Sequence, residues 1–166
     1  MTKVLVEGCG WVYIDVVRDW STKAIVGYHA SLQCRAQHWL AALDMAVNRQ
    51  FPNGAREQGL SLMSDNGCQP TAVACMQACS TLGIQQPFTS DHNPKGHADT
   101  ERVMRTLKEE CLWQHAWTCP VTLARALETW SEDYHAHDLP SALGYKPPRQ
   151  FERDYHRSHG TQLPAA

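Results

Sequence analysis

The chain has 166 residues, of which 43% are hydrophobic and 19% are charged, and this mixture predicts one globular domain with its own core. It has no apolar stretch long enough for a membrane span and no N-terminal signal pattern, so we expect a soluble cytoplasmic protein without membrane partners. Its formal net charge of −2 excludes binding to nucleic acid through bulk charge, so any such surface must be a local basic patch.

The N-terminal part predicts three antiparallel strands. Residues 2–6, 11–19 and 22–30 are rich in the Val, Ile, Tyr and Trp side chains that favour strands. The links between them are short, and Gly8 and Gly10 supply the positive φ angles that a tight turn needs. We therefore expect a three-stranded meander.

Helical periodicity then alternates with short apolar runs. The remaining predicted elements are a helix over 35–50, a strand over 60–64, a helix over 71–82 closed by Gly83, a strand over 84–88, a polar loop over 89–96, helices over 97–112 and 121–136, and a short helix over 149–157. Strands that are joined through helices pair in parallel with right-handed crossovers. The expected architecture is α/β, with a mixed sheet covered by helices.

The seven cysteines predict reduced thiols. Their number is odd and no two form a C-x-x-C motif, so neither a disulfide framework nor a zinc site is supported. Cys75 and Cys79 lie four residues apart on a predicted helix, a spacing that suits packing on one face.

Two carboxylates stand out by position. Asp65 follows a predicted strand, at the edge where open α/β sheets bind ligands, and Glu101 lies in the first turn or so of a predicted helix. Each has an ordinary explanation when taken alone. Asp-Asn-Gly is a common turn sequence, and an acidic residue early in a helix suits the helix dipole.

Several motifs occur in one order: Gly27-Tyr28, Ser64 to Gly67, Asn93 to Glu101, Leu107-Lys108 and Ser141 to Tyr145. This series resembles the integrase core (DDE) domain of bacterial insertion-sequence transposases, which are related to retroviral integrases. The resemblance covers residues 1–155, leaving 156–166 as a C-terminal tail. It implies a ribonuclease-H-like fold, with a mixed five-stranded sheet flanked by helices.

The resemblance also implies an active site of three carboxylates, with Asp65 and Glu101 as catalytic metal ligands. Cleaving and rejoining DNA strands requires charge neutralisation at the phosphate and an activated attacking oxygen. Two divalent cations roughly 3.5–4 Å apart meet both needs. Hard oxygen ligands select Mg²⁺ or Mn²⁺. The implied function is metal-dependent DNA strand cleavage and strand transfer.

The first carboxylate of the family pattern lies in a stretch that reads Asp–apolar–Thr. The beginning of this chain, Met1-Thr2, resembles that stretch with the Asp removed and the first strand truncated, so we expect the chain to be inactive alone. The alternative is a non-catalytic DNA-binding or interfering transposase fragment. Asp15 falls at a position that is usually apolar in the family. We therefore do not predict that it serves as the first carboxylate of the site. Asp19 matches the family's Asp–apolar–Ser step and is interpreted as a turn residue.

Basic residues near Glu101 predict contact with DNA. Arg105 and Lys108 follow it by four and seven residues and share its helix face, and Lys95 lies in the preceding loop. The alternative for Arg105 is an ordinary surface ion pair with Glu101. The expected partners are transposon-end and target DNA, with a homo-oligomer in the intact, nucleoid-associated bacterial protein.

A second basic row consists of Arg149, Arg153 and Arg157 at helical spacing. We interpret it first as a solvated helix face and second as a non-specific DNA contact. The His135-x-His137 motif is too weak to predict a metal site.

Overall fold

The computed structural model describes residues 1–64, 68–87 and 94–159, with the backbone alone at 94–98 and 159. Three antiparallel strands form a sheet in the order β1-β2-β3: β1 (Thr2–Val6), β2 (Gly10–Arg18) and β3 (Ile25–Ser31). The predicted meander is confirmed.

The described helices are α1 (Ala36–Gln50), α2 (Val73–Leu82), α3 (Pro94–Leu107), α4 (Pro120–His137) and α5 (Pro148–His159). A π-helical turn, Lys108–Leu112, continues α3, and a 3-10 turn, Ser141–Leu143, precedes α5. Among the described helices, none combines the length and apolarity that a bilayer crossing requires.

Two expectations about helix bounds were wrong. The helix predicted over 97–112 begins at Pro94, because proline suits the first turn, where its missing N–H costs no hydrogen bond. Its last five residues form a wider π turn instead of continuing the α-helix. Helix α5 also runs across residue 155, so the division into core and tail there stays a prediction.

Within the described residues, the predicted fourth and fifth strands are joined by a parallel bridge between Ser61 and Gln85. The N–H of Leu62 donates to the Gln85 carbonyl oxygen at 2.8 Å, and the N–H of Gln85 donates to the Leu60 carbonyl oxygen at 2.9 Å. Parallel pairing of these segments is therefore confirmed. Within the described ranges the continuous sheet has three strands, and a five-stranded sheet stays a prediction.

One face of the sheet carries the main core. Alternate residues of the three strands, among them Val4, Ile14 and Ile25, are buried under α3, the π turn and α4. The chain after the π turn returns to the sheet edge, where Trp117 forms a parallel bridge with Val6. The core therefore joins the sheet to the helix that carries Glu101.

The opposite face of the sheet packs against α1 through Gly27 of β3. A Cβ atom added at Gly27 would collide with the Ala42 carbonyl oxygen and would lie 2.9 Å from the Ala46 Cβ. The missing side chain lets the helix approach the strand closely. The Gly27-Tyr28 motif therefore has a packing explanation.

Helix α2 is held by its small buried cysteines. Cys75 and Cys79 are both buried, as their spacing predicted, and burial raises the pKa of each thiol. Gly83 closes the helix with a φ of 70°, as predicted. All seven cysteines are free in the structure, and their reduced state in the cell stays a prediction.

Asp15 is a charged residue in the packed interface between β2 and α1. It is 7% exposed and lies opposite His29 of β3, whose ring stacks on His38 of α1 at 5.4 Å. Burial raises the pKa of Asp15, and the nearby N-terminal amine and the two histidines offset this only in part. The interior position agrees with its alignment to an apolar family position.

Replacing Gly27 with Ala tests the close approach of α1. We expect Gly27→Ala to lower the free energy of unfolding by about 2–3 kcal/mol, because the helix must move to admit a methyl group. Chemical denaturation measures this. Gly8→Ala is the control, since an added Cβ there meets nothing within 4 Å and costs only the left-handed backbone penalty of about 1 kcal/mol. Equal losses for both variants would contradict the packing argument.

Replacing Asp15 with Asn tests the cost of its buried charge. Because its folded-state pKa is raised, the carboxyl favours folding fully below its ordinary value of 3.8 and loses that contribution as pH rises through the raised value. We expect Asp15→Asn to increase stability at neutral pH and to flatten this pH dependence in denaturation experiments. Asp44→Asn, at an exposed position on α1, should leave the profile unchanged. An unchanged profile for Asp15→Asn would show that the charge costs nothing.

Candidate active site

Helix α3 has a buried face and an exposed face. Val103 and Leu107 are buried in the main core, and Cys111 continues this stripe into the π turn. Burial raises the pKa of the Cys111 thiol to about 11, so the group is an inert part of the core. The predicted apolar stripe is confirmed. Its packing turns the opposite face of the helix outward.

Glu101 lies on that exposed face. It is the eighth residue of α3, about two turns from the start and further along the helix than the predicted first turn or so. The earlier helix start at Pro94 accounts for the difference. Stabilisation by the helix dipole is confined to the first turn. A favourable interaction with the helix dipole therefore does not explain the acidic residue at this position.

Arg105 and Lys108 accompany Glu101 on the outer side of the helix, Arg105 exposed and Lys108 half-buried. No ion pair joins Glu101 to Arg105 in the described structure, whose three salt bridges lie elsewhere. The alternative of an ordinary surface pair is therefore not realised. Arg102, next to Glu101, is exposed as well and adds a third positive charge.

The side chains of two sequence-predicted site residues are not described. Asp65 is not among the described residues, and for Lys95 only the backbone, within α3, is described. Their roles stay predictions. In the part of the chain with described side chains, no group of three or more His, Cys, Asp or Glu residues has the arrangement of a metal site.

The π turn fixes the end of α3 against α4. The indole N–H of Trp130 donates to a Glu110 carboxylate oxygen at 3.1 Å, and the indole N–H of Trp117 donates to the Leu112 carbonyl oxygen at 2.8 Å. Cys111 and Leu112 are both buried between these contacts. The helix that carries Glu101 is therefore anchored at its C-terminal end.

The described part of the chain contains two cavities with charged side chains in their linings. The larger of the two main cavities has a volume of about 210 Å³ and is lined by Ile25, Arg49, His135 and Arg149 among others. A smaller one, of about 50 Å³, lies beside Arg102. Glu101 is exposed and lines neither of these two cavities.

His135 has a structural role. Its Nε2 accepts a hydrogen bond of 2.9 Å from the N–H of Ile25, and burial lowers its pKa, with a further contribution from Arg149. The second basic row, Arg149, Arg153 and Arg157, is exposed on α5, in keeping with a solvated helix face.

One cluster near Glu101 was missed by sequence reasoning. Asp99, on α3, accepts a 2.7 Å hydrogen bond from the Lys23 ammonium group, and Arg18 lies 3.9 Å from the same carboxylate oxygen. These contacts hold the pKa of Asp99 below its ordinary value, Lys23 contributing most. No sequence signal relates the residues, because Lys23 and Asp99 are 76 positions apart.

Comparison with known families gives two matches that together cover most of the chain. A model of the integrase core domain matches residues 1–94, and a second model with the same description matches residues 82–148. Both matches therefore name the same kind of domain.

Curated relatives come from bacterial insertion elements. The "Insertion element IS136 uncharacterized protein" of Agrobacterium fabrum is 30% identical over 108 residues, which are 65% of this chain and 55% of the relative. The "Putative transposase InsD for insertion element IS2E" of Escherichia coli is 30% identical over 112 residues, which are 65% of this chain and 50% of the relative. The chain thus spans about half the length of these relatives.

Solved structures share the fold. The catalytic core domain of BIV integrase covers 96% of this chain with a TM-score of 0.61 and 19% identity. A chain of the simian T-cell lymphotropic virus intasome, in complex with the PP2A regulatory subunit B56 gamma, covers 99% with a TM-score of 0.70 and 17% identity. The predicted α/β, ribonuclease-H-like fold class is confirmed by these retroviral neighbours.

Proposed function

Because the chain belongs to the integrase core domain family, we propose that it is the core of a DDE-type transposase that cleaves DNA strands and joins them to new DNA. The observation that supports this most directly is the placement of Glu101. Because α3 buries its opposite face, the Glu101 carboxylate is exposed at the surface, and Arg102 and Arg105 are exposed on the same helix. A large anionic polymer can reach such a surface.

The donor chemistry of Glu101 fits a divalent cation. Its carboxylate is an exposed hard oxygen donor without an ion-pair partner in the described structure, the type of ligand that Mg²⁺ and Mn²⁺ prefer. In this proposal Asp65 supplies a second carboxylate, and two ions are held. When bound, the ions neutralise charge on the phosphate under attack. The side chains of the protein hold and orient the reacting groups.

The basic residues on the outer side of α3 would hold the DNA backbone. Arg105 lies one helical turn beyond Glu101, about 6 Å along the axis, and Lys108 follows one turn later. Guanidinium and ammonium groups at this spacing can bind phosphates on one side of the scissile bond. Lys95 is a further candidate on the preceding part of the helix. Contacts of this kind fix the register of the DNA but do not read its sequence.

The whole parent protein is proposed to act on transposon ends and target DNA as a homo-oligomer in the bacterial nucleoid. A viral chain with the same fold was solved as part of an intasome, which supports DNA and further copies as partners. The finer architecture belongs to the same proposal. Segments 60–64 and 84–88 would extend the three-stranded sheet to five strands.

Neutralising Glu101 tests the catalytic proposal. A third carboxylate is expected directly before Met1, so the assay uses a variant extended there by one Asp. We expect Glu101→Gln and Asp65→Asn to lower Mn²⁺-dependent nicking of supercoiled plasmid DNA at least about a hundredfold, because each loses a metal ligand. Glu109→Gln removes an exposed carboxylate from the adjoining π turn and should leave nicking unchanged.

Unreduced nicking in Glu101→Gln would refute the role of Glu101. The chain without the added Asp is expected to be inactive. If the extended variant also fails to nick DNA while both forms still bind it, the alternative of a non-catalytic DNA-binding fragment is favoured. Calorimetric titration with Mn²⁺ separates the two, since tight binding of two ions by the unextended chain would exclude that alternative.

Removing the basic side chains tests the DNA contact. We expect Arg105→Ala and Lys108→Ala each to weaken binding to duplex DNA and to reduce the slope of log affinity against log salt by about 1, because each removes one phosphate contact. Fluorescence anisotropy at several salt concentrations measures this. Arg125→Ala, at an exposed position on α4, is the matched control. Equal effects from all three variants would indicate only a loss of net charge.

A further inference from the structure

The turn between β2 and β3 reaches across the molecule to α3. Lys23 lies in this turn with its side chain buried, and its ammonium group donates to Asp99 Oδ2 at 2.7 Å. Asp99 precedes Glu101 by two residues on α3. The contact therefore joins the sheet to the part of the helix that carries the proposed metal ligand.

Hydrogen bonds within the turn hold the backbone around Lys23 in one conformation. Asp19 Oδ2 accepts hydrogen bonds of 2.6 Å from both the N–H and the hydroxyl of Thr22, and the N–H of Asp19 donates to the Ala24 carbonyl oxygen at 2.8 Å. Lys23 itself has a φ of 60°, which a residue with a side chain adopts only where its surroundings hold it. The turn role predicted for Asp19 is thereby confirmed, and it fixes Lys23.

Arg18 supports the same arrangement from the end of β2. Its Nε donates to the Lys23 carbonyl oxygen at 3.1 Å, and its Nη1 donates to the Asp99 carbonyl oxygen at 3.2 Å. Both the backbone and the carboxylate of Asp99 are thus held. The Trp20 ring lies 4.3 Å from the Lys23 ammonium group and shields one side of it.

We propose that Lys23 and Asp99 are positioning residues for Glu101, which restrict the motion of the first half of α3 about the rotational setting that its buried stripe gives it. This inference rests on the proposed function. The π turn anchors the helix beyond Glu101, and the contact between Lys23 and Asp99 anchors it before Glu101. Two anchors on either side of a ligand residue restrict how far its carboxylate moves. The alternative is an ion pair that only adds stability.

The chain offers a matched control for that alternative. Lys146 and Asp154 form an ion pair at 2.8 Å, nearly the same distance, but both side chains are well exposed and far along the sequence from α3. Lys146→Met therefore removes a Lys–Asp ion pair of nearly the same length from a place where it cannot position Glu101. Any effect shared by Lys23→Met and Lys146→Met is unrelated to α3.

Hydrogen exchange of the chain itself is the first experiment. We expect Lys23→Met to accelerate amide exchange in α3 by about tenfold or more, because the first anchor is lost, with little change in β1 and α4. Lys146→Met should leave α3 unchanged. Unaltered exchange in α3, or a uniform increase throughout the chain, would overturn the proposal.

The metal requirement of the extended variant is the second experiment. We expect Lys23→Met and Asp99→Asn each to raise the Mn²⁺ concentration for half-maximal plasmid nicking several-fold, and the double variant to be no worse than either single one. Lys23→Arg, which keeps the charge, should restore most of the wild-type value. An ion pair with only a stabilising role leaves this concentration unchanged at a temperature where all variants are folded.

Failure of this inference is distinct from failure of the proposed function. If Glu101→Gln retains nicking, the proposed function is wrong whatever Lys23→Met does. If Glu101→Gln abolishes nicking and Lys23→Met leaves the half-maximal Mn²⁺ concentration unchanged, only the positioning role is wrong.

Discussion

Burial of the apolar stripe of α3 is the constraint on which the remaining structure depends. Val103 and Leu107 have almost no exposed surface, and they pack against strand residues such as Val4 and Ile14. A helix can satisfy such burial at only one rotational setting. Once that setting is fixed, Glu101 must face outward. The hydrophobic effect thus decides the direction of a carboxylate that takes no part in the core.

Much of the fold follows from local patterns in the sequence. The three strands, the spacing of Cys75 and Cys79, the cap at Gly83 and the turn at Asp19 are each set by residues close together in the chain, and each prediction was confirmed. Local chemistry is sufficient for such features because their hydrogen bonds and packing partners lie within a few residues.

Two other features were not predicted from the sequence, one local and one that depends on distant residues. The start of α3 was misplaced because Pro94 and Gly96 were interpreted as loop residues, although proline is compatible with a first helical turn. The contact between Lys23 and Asp99 arises only when the sheet and α3 are packed together. Of the candidate site, the outward face of Glu101 follows from periodicity, whereas the roles of Asp65 and Lys95 remain predictions.

The π turn at Lys108–Leu112 has a consequence for how this chain tolerates changes in length. A π turn accommodates one more residue than an α-helical turn of the same height. Deleting a single residue here would convert the π turn to an α-helical turn of the same height and leave the chain after it close to its present orientation. A deletion within the regular turns of α3 would instead rotate everything after it by about 100°. Single-residue deletions should accordingly be better tolerated at the π turn than earlier in α3.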